Sequence, residues 1–294
     1  MQTAANAQAR GWRSVYFNAQ AIPYWLIHVG AIAGVAALGW SWRGLAWAIG
    51  LYAVRLFFVT GAYHRYFAHR SFKTSRWFQF VLALGATATA QKGVLWWAAH
   101  HRRHHRGSDT VEDLHSPYHG GFWWSHMGWI LARDFEGTDH AAIKDFARYP
   151  ELRWLDRYWV VPVLATAVAS YLVGGWFGLT WAFAVSQVLC WHGTFTINSL
   201  SHLWGKRRYE TRDHSRNNPV LALITLGDKL RGDALLTEVA VVLPEQPAAG
   251  EADPRPERQP ASDAAQRREE AGRAGGKAEL GDHAVGHGAR VPGL

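Results

Sequence analysis

The chain of 294 residues has a single cysteine, Cys190. That scarcity excludes an internal disulfide and any zinc or iron–sulfur site built on thiolates. Aromatic side chains are missing from one whole region: every Trp, Tyr and Phe lies at or before Tyr209, and none comes after it. Acidic residues are outnumbered, 23 Asp and Glu against 31 Lys and Arg, for a net charge of +8. Such a balance suits either nucleic acid or an anionic membrane surface. What the chain does have decides between them. It holds 17 Trp and is 49% hydrophobic, so a mean hydropathy of −0.16 averages an apolar part with a polar one, and the long apolar segments select the membrane. Residues 1–20 lack a cleavage signal and carry Arg10 and Arg13; they read as a cytoplasmic arm.

Residues 21–40 form a mostly apolar run of the length needed to cross about 30 Å of hydrocarbon. A short connection leads to a second span, 44–63, interrupted by Arg55. A charge inside a span is costly, so Arg55 should find an interior partner, unless the span begins or ends elsewhere. Residues 78–99 are apolar but contain Gln91 and Lys92 and read as a buried or re-entrant helix. Residues 106–157 are polar and aromatic with turn signals. Two further spans, 158–173 and 176–197, are separated by Gly174-Gly175. The predicted fold is therefore an all-α membrane protein: four transmembrane helices and a helical cap at 64–157. Thirteen Lys and Arg residues lie between Tyr63 and Tyr158, against Arg43 alone in the short connections opposite. The positive-inside rule places the cap and both termini in the cytoplasm.

The cap holds most of the chemistry. Trp97–Arg106 reads W-A-A-H-H-R-R-H-H-R, with His100, His101, His104 and His105. On a helix, His101, His104 and His105 share a face and offer neutral nitrogen donors to iron, copper, nickel or zinc. Taken alone, the stretch also reads as a solvated basic patch. Just past the second span, His64-Arg-Tyr-Phe-Ala-His69 puts two histidines about 140° apart on an ideal α-helix. The helix must end there, or the pair must meet different metals. At the end of the last span, Asn198 and His202 are four residues apart and share a face. Three such constellations at one end of an apolar bundle argue for a metal centre.

These motifs, H-R-Y-F-A-H, H-R-R-H-H and N-S-L-S-H-L-W-G in that order, with support from G-F-W-W-S-H-M-G-W at 121–129 and from 207–218, resemble the membrane fatty-acid desaturases of the acyl-CoA Δ9, stearoyl-CoA desaturase-like type. The resemblance spans about 22–227. It implies two Fe ions, with O2 as co-substrate, placing a cis double bond in a saturated acyl chain, the expected carrier being acyl-CoA or another acyl lipid. By the same resemblance His64, His69, His101, His104, His105 and His202 are iron ligands, Asn198 holds a metal through water, and His100 stands beside the centre without binding it. A methylene offers no handle to ordinary side chains, so a strong metal-bound oxidant in a dry apolar channel is what the chemistry requires. No electron-transfer module is visible, so a separate ferredoxin- or cytochrome b5-like protein is the expected donor. Arg65, Arg70, Lys73, Arg102, Arg103 and Arg106 would form a basic face for an acidic partner or a CoA phosphate, although positive-inside bias explains most of them.

The pattern breaks after Gly227. The family carries a third box, H-N-x-H-H, where this chain reads Asp228-Lys-Leu-Arg-Gly-Asp. Residues 228–294 are rich in Ala, Gly, Pro, Glu and Arg and have the composition of a disordered tail, as a frame change or truncation would produce. His283 and His287, four apart in the tail, and His214 are weak substitutes. Incomplete iron binding and low activity are the expectation. A related di-iron membrane hydroxylase and a non-catalytic remnant that binds metal or lipid are the alternative readings.

Overall fold

A computed structural model describes residues 11–207 and 214–226; the tail, with His283 and His287, lies outside them. Among the described residues the architecture is helical, and the one β-type pairing is an isolated bridge between Lys206 and Asn217. Helix α1 (Ile22–Leu38) is followed by α2 (Trp42–Phe57), which continues without a break into a π-helix, Phe58–Ala68. Then come α3 (Arg76–Thr87) and α4 (Val94–Gly107), a series of helical pieces of three to five residues between Pro117 and Ala147, and α5 (Pro150–Arg157). Helix α6 (Val160–Phe177), a π-helical stretch (Gly178–Val185), α7 (Ser186–Asn198) and α8 (Leu200–Leu203) complete the core.

Among the described residues three helices, not the expected four, are long and apolar enough to cross a membrane: Ala19–Leu38, Trp42–Ala68 and Val160–Leu203. The difference lies in the last of them. Its 44 residues take in both predicted C-terminal spans except positions 158 and 159, and a straight helix of that length would measure about 66 Å. The run is divided at Gly175, whose φ of 57° and ψ of −145° are not helical. The two halves pack against each other. Gly178 makes that approach possible, because a Cβ there would lie 2.1 Å from the carbonyl oxygen of Ser170. The apolar side chains of Leu26, Val29, Ile32, Leu172 and Val173 point outward and are exposed, the reverse of a water-soluble core.

Arg55 does find its interior partners, and all are neutral. Its guanidinium is buried and donates to Ser186 Oγ (3.1 Å), the carbonyl of Ala88 (2.9 Å) and the side-chain oxygen of Gln187. It thereby ties α2 to α7 and to the turn after α3. The main hydrophobic core joins the π-helix at 58–68, α3, α4 and α5 through Leu56, Tyr63, Phe67, Leu82, Leu95 and Leu155. This core sets the histidine-bearing elements against one another.

Candidate metal centre

The π-helix answers the difficulty posed by His64 and His69. Its hydrogen bonds run between residues five apart, and the amide of His69 donates to the carbonyl of His64 at 3.0 Å. Residues that an α-helix would splay thus lie above one another, with ring centroids 4.4 Å apart. Arg102 then fastens this end to α4. It donates to the carbonyls of Phe67 (2.8 Å) and Ala68 (3.1 Å), groups that a helix terminus leaves without partners. Its fork also grips both oxygens of Asp145 at 2.9 Å. Arg102 is therefore an internal strut, not part of a docking face.

Helix α4 is held at its start by Asp156, which accepts from the amide of Trp96 (2.9 Å) and from Thr138 Oγ1 (2.7 Å). Gly93 lies so close that a Cβ there would meet the Asp156 backbone at 2.4 Å. At the other end of α4 stand the histidines, where the helix dipole favours positive charge.

Ligand atoms of His64, His69, His101 and His105 all lie within 4.8 Å of one another. His101 Nε2 is 3.2 Å from His69 Nε2 and 2.9 Å from His105 Nε2. One ring nitrogen cannot donate to two neighbours while carrying a single proton. Nitrogens around a metal bound at about 2.1 Å sit roughly 3 Å apart, so a shared cation satisfies all of these lone pairs together. Loss of solvent, followed by the like charge of His64, His105, His104 and His69, holds His101 well below its ordinary pKa. It is therefore neutral and ready to bind a metal.

A second group lies one turn along the same helix. Ligand atoms of His104, Asp113 and His115 are within 4.8 Å of one another, and all three residues are buried. His104 Nδ1 meets Asp113 Oδ1 at 2.8 Å, and His202 Nδ1 meets Asp109 Oδ2 at 2.9 Å. The rings of His104 and His202 are 5.9 Å apart. Burial would raise both carboxyls, yet the hydrogen bonds and charge of their histidines hold Asp109 and Asp113 well below the usual range. A carboxylate behind an imidazole fixes its tautomer and turns the other nitrogen outward as a ligand.

Of the residues expected at the centre, His64, His69, His101 and His105 come together in one group and His104 enters the other. His202 is a neighbour of His104. Asn198 ends α7, and its carbonyl accepts from Ser125 Oγ at 2.6 Å. His100 is in neither group. It is buried, with Nδ1 at 2.9 Å from the Trp96 carbonyl and its ring stacked on Trp96. His214, half exposed, donates its amide to Asp109 at 2.7 Å. The sequence motifs did not point to Asp109, Asp113 and His115. The signal was present as three acids, Asp109, Glu112 and Asp113, and a histidine within ten residues after the H-R-R-H-H stretch. Nor did they point to a line of imidazoles in which His28 Nε2 meets His192 Nε2 (3.1 Å), His192 Nδ1 meets His126 Nε2 (2.9 Å), and His126 Nδ1 meets Ser199 Oγ (2.9 Å). An apolar cavity of about 680 Å³ flanks α2 near Trp47, Val54 and Arg55, with none of the metal-group histidines in its wall.

The chain is similar to known proteins over most of its length. The family model described as fatty acid desaturase matches residues 40–230. The chain is 33% identical to the sn-2 palmitoyl-lipid 9-desaturase of Nostoc sp. (strain 36), over 76% of this chain and 77% of the relative. It is 32% identical to the sn-1 stearoyl-lipid 9-desaturase of Anabaena variabilis, over 69% of this chain and 75% of the relative. Similarity to the chloroplastic palmitoyl-monogalactosyldiacylglycerol delta-7 desaturase of Arabidopsis thaliana is also 32%, covering 74% of this chain and 59% of the relative. With histidine groups able to hold metal beside helices able to span a bilayer, the chain belongs to the fatty acid desaturase family and is an oxidoreductase of that family.

Proposed function

We propose that the protein places a double bond in the saturated acyl chain of a membrane lipid, using O2 and two electrons from a separate electron-transfer protein. The observation that carries this reading is the convergence of four imidazoles from two separate segments, His64 and His69 with His101 and His105, to within 4.8 Å. Two irons are proposed, one held by those four residues and one by His104 and His202, with Asn198 acting through water. When bound, iron supplies the O2 activation that removal of hydrogen from an unactivated methylene demands.

The chain's own residues hold that centre in place. Asp113 and Asp109 fix the tautomers of His104 and His202, Arg102 sets the π-helix against α4, and Trp97 stacks on His101 at 4.6 Å, helping to keep water from the ring. The three relatives are named as lipid desaturases, which favours an acyl chain on a glycerolipid over the acyl-CoA that the sequence motifs suggested. Charge placement favours a cytoplasmic centre, with the Gly175 break making two spans of the 44-residue run.

The absent H-N-x-H-H box supports a second reading. The chain would then be a remnant of the family whose second metal position is short of ligands and whose turnover is low. Expression in a desaturase-deficient host, with analysis of membrane acyl chains, separates the readings. New alkenes support desaturation, hydroxylated chains indicate the related hydroxylase, and an unchanged profile supports the remnant.

A further inference from the structure

We propose that His115 supplies an imidazole to the second metal position, beside His104 and His202. The inference rests on the two-metal reading above and extends it to a residue outside the histidine boxes.

The need is set by the sequence. With no third box, that position has two histidines and a water-mediated asparagine, whereas a stable site takes four or more donors. The candidate is set by the geometry. His115 is 5% exposed, and its Nδ1 is buried without a hydrogen-bond partner. Its ring lies on that of His104, centroids 4.1 Å apart and planes 27° apart. A buried polar nitrogen left in that state is costly, so the fold retains it against a penalty that a bound cation removes. His100 shows the contrast. Buried on the same helix as His104, it places its Nδ1 on the Trp96 carbonyl, as a histidine serving only the core should.

Asp113 is the other nearby donor, but its oxygens are engaged. Oδ1 accepts from His104 Nδ1 and from the His115 amide (3.2 Å), and Oδ2 accepts from the Asp109 amide (2.7 Å). It orients His104 and pins the backbone of His115. The loop between α4 and Ser116 is thus wound on two carboxylates, Asp109 having a φ of 60° and accepting from Ser116 Oγ at 2.9 Å. This winding is what carries His115 to His104.

The test is metal uptake by the full chain, purified in detergent, stripped, and titrated with Co(II) without oxygen. Two ions per chain are expected, one tight and one weaker. His115→Gln should keep the tight ion and weaken the other at least 10-fold, whereas His101→Gln should lose the tight one and keep the other. His115→Cys should restore the second ion and add a thiolate-to-cobalt absorption band, which a residue with a purely structural role would not produce. Unchanged affinity for the second ion in His115→Gln overturns the proposal, as does a loaded His115→Cys without the band. A wild-type chain that takes one ion also overturns it but leaves the first position standing. A chain that takes none overturns the two-metal reading itself.

Discussion

At the scale of single residues, the proposed centre depends on two carboxylates, Asp109 and Asp113, that hold the Nδ1 atoms of His202 and His104. Asp109→Asn should leave the fold intact but free His202 to take the wrong tautomer, lowering affinity at the second position by about 10–100-fold. Equilibrium dialysis against Co(II) measures this. His100 makes a pH prediction. Burial lowers its pKa to about 4, against the pull of the Trp96 carbonyl. Its unfolded value is about 6.5, so as pH falls the unfolded chain binds the proton first. Stability fully present above that value is lost as pH drops toward 4, by about 2 kcal/mol at pH 5. Asp109 and Asp113 do not contribute in this window. Their folded values lie below the unfolded one, so their stabilisation is lost only below about pH 4. Thermal unfolding of metal-free protein should therefore show Tm falling between pH 7 and 5, with a shallower slope in His100→Gln. A slope unchanged by that substitution would refute the assignment.

At the scale of elements, sequence periodicity located the histidines but not their meeting. His101 and His105 share a face by α-helical spacing, and the structure puts their Nε2 atoms 2.9 Å apart. His64 and His69 could not be joined on that arithmetic, because the winding between Phe58 and Ala68 is π, and no composition rule announces it. Asp109, Asp113 and His115 stayed hidden for another reason. Their roles come from a loop closing on α4, a tertiary event with no period to read. The Gly174-Gly175 pair was read as separating two spans, and the run is divided there, at the non-helical Gly175, although it counts as a single apolar length. The packing that supports the π-helix can be tested at Gly85, where a Cβ would lie 2.2 Å from the Phe58 ring. Gly85→Val should cost about 1–3 kcal/mol through overpacking, and Phe58→Ala in the same chain should return part of it. Additive losses in the double variant would show that the two sites do not touch.

At the scale of the whole molecule, the membrane class was legible because apolar runs of 20 and 27 residues stand out in any sequence. Sidedness rests on charge placement, and the chain provides a simple test. Its single cysteine, Cys190, is fully buried, so engineered thiols report without much background. Ser41→Cys, between the first two spans, should react with an impermeant maleimide from the side opposite the cytoplasm. Glu112→Cys, in the loop beside the second histidine group, should react only once the membrane is opened. Labelling of both from one side would invert or remove the proposed topology.

The widened turn at Phe58–Ala68 also bears on how this chain can change over generations. An α-helix accepts many exchanges of one side chain for another, whereas here the spacing is what brings His64 over His69. Loss of a single codon between them would rotate one ring away from the other and dismantle the four-imidazole group, even with every histidine still encoded. In this stretch, the number of residues matters to the group as much as the two histidines themselves.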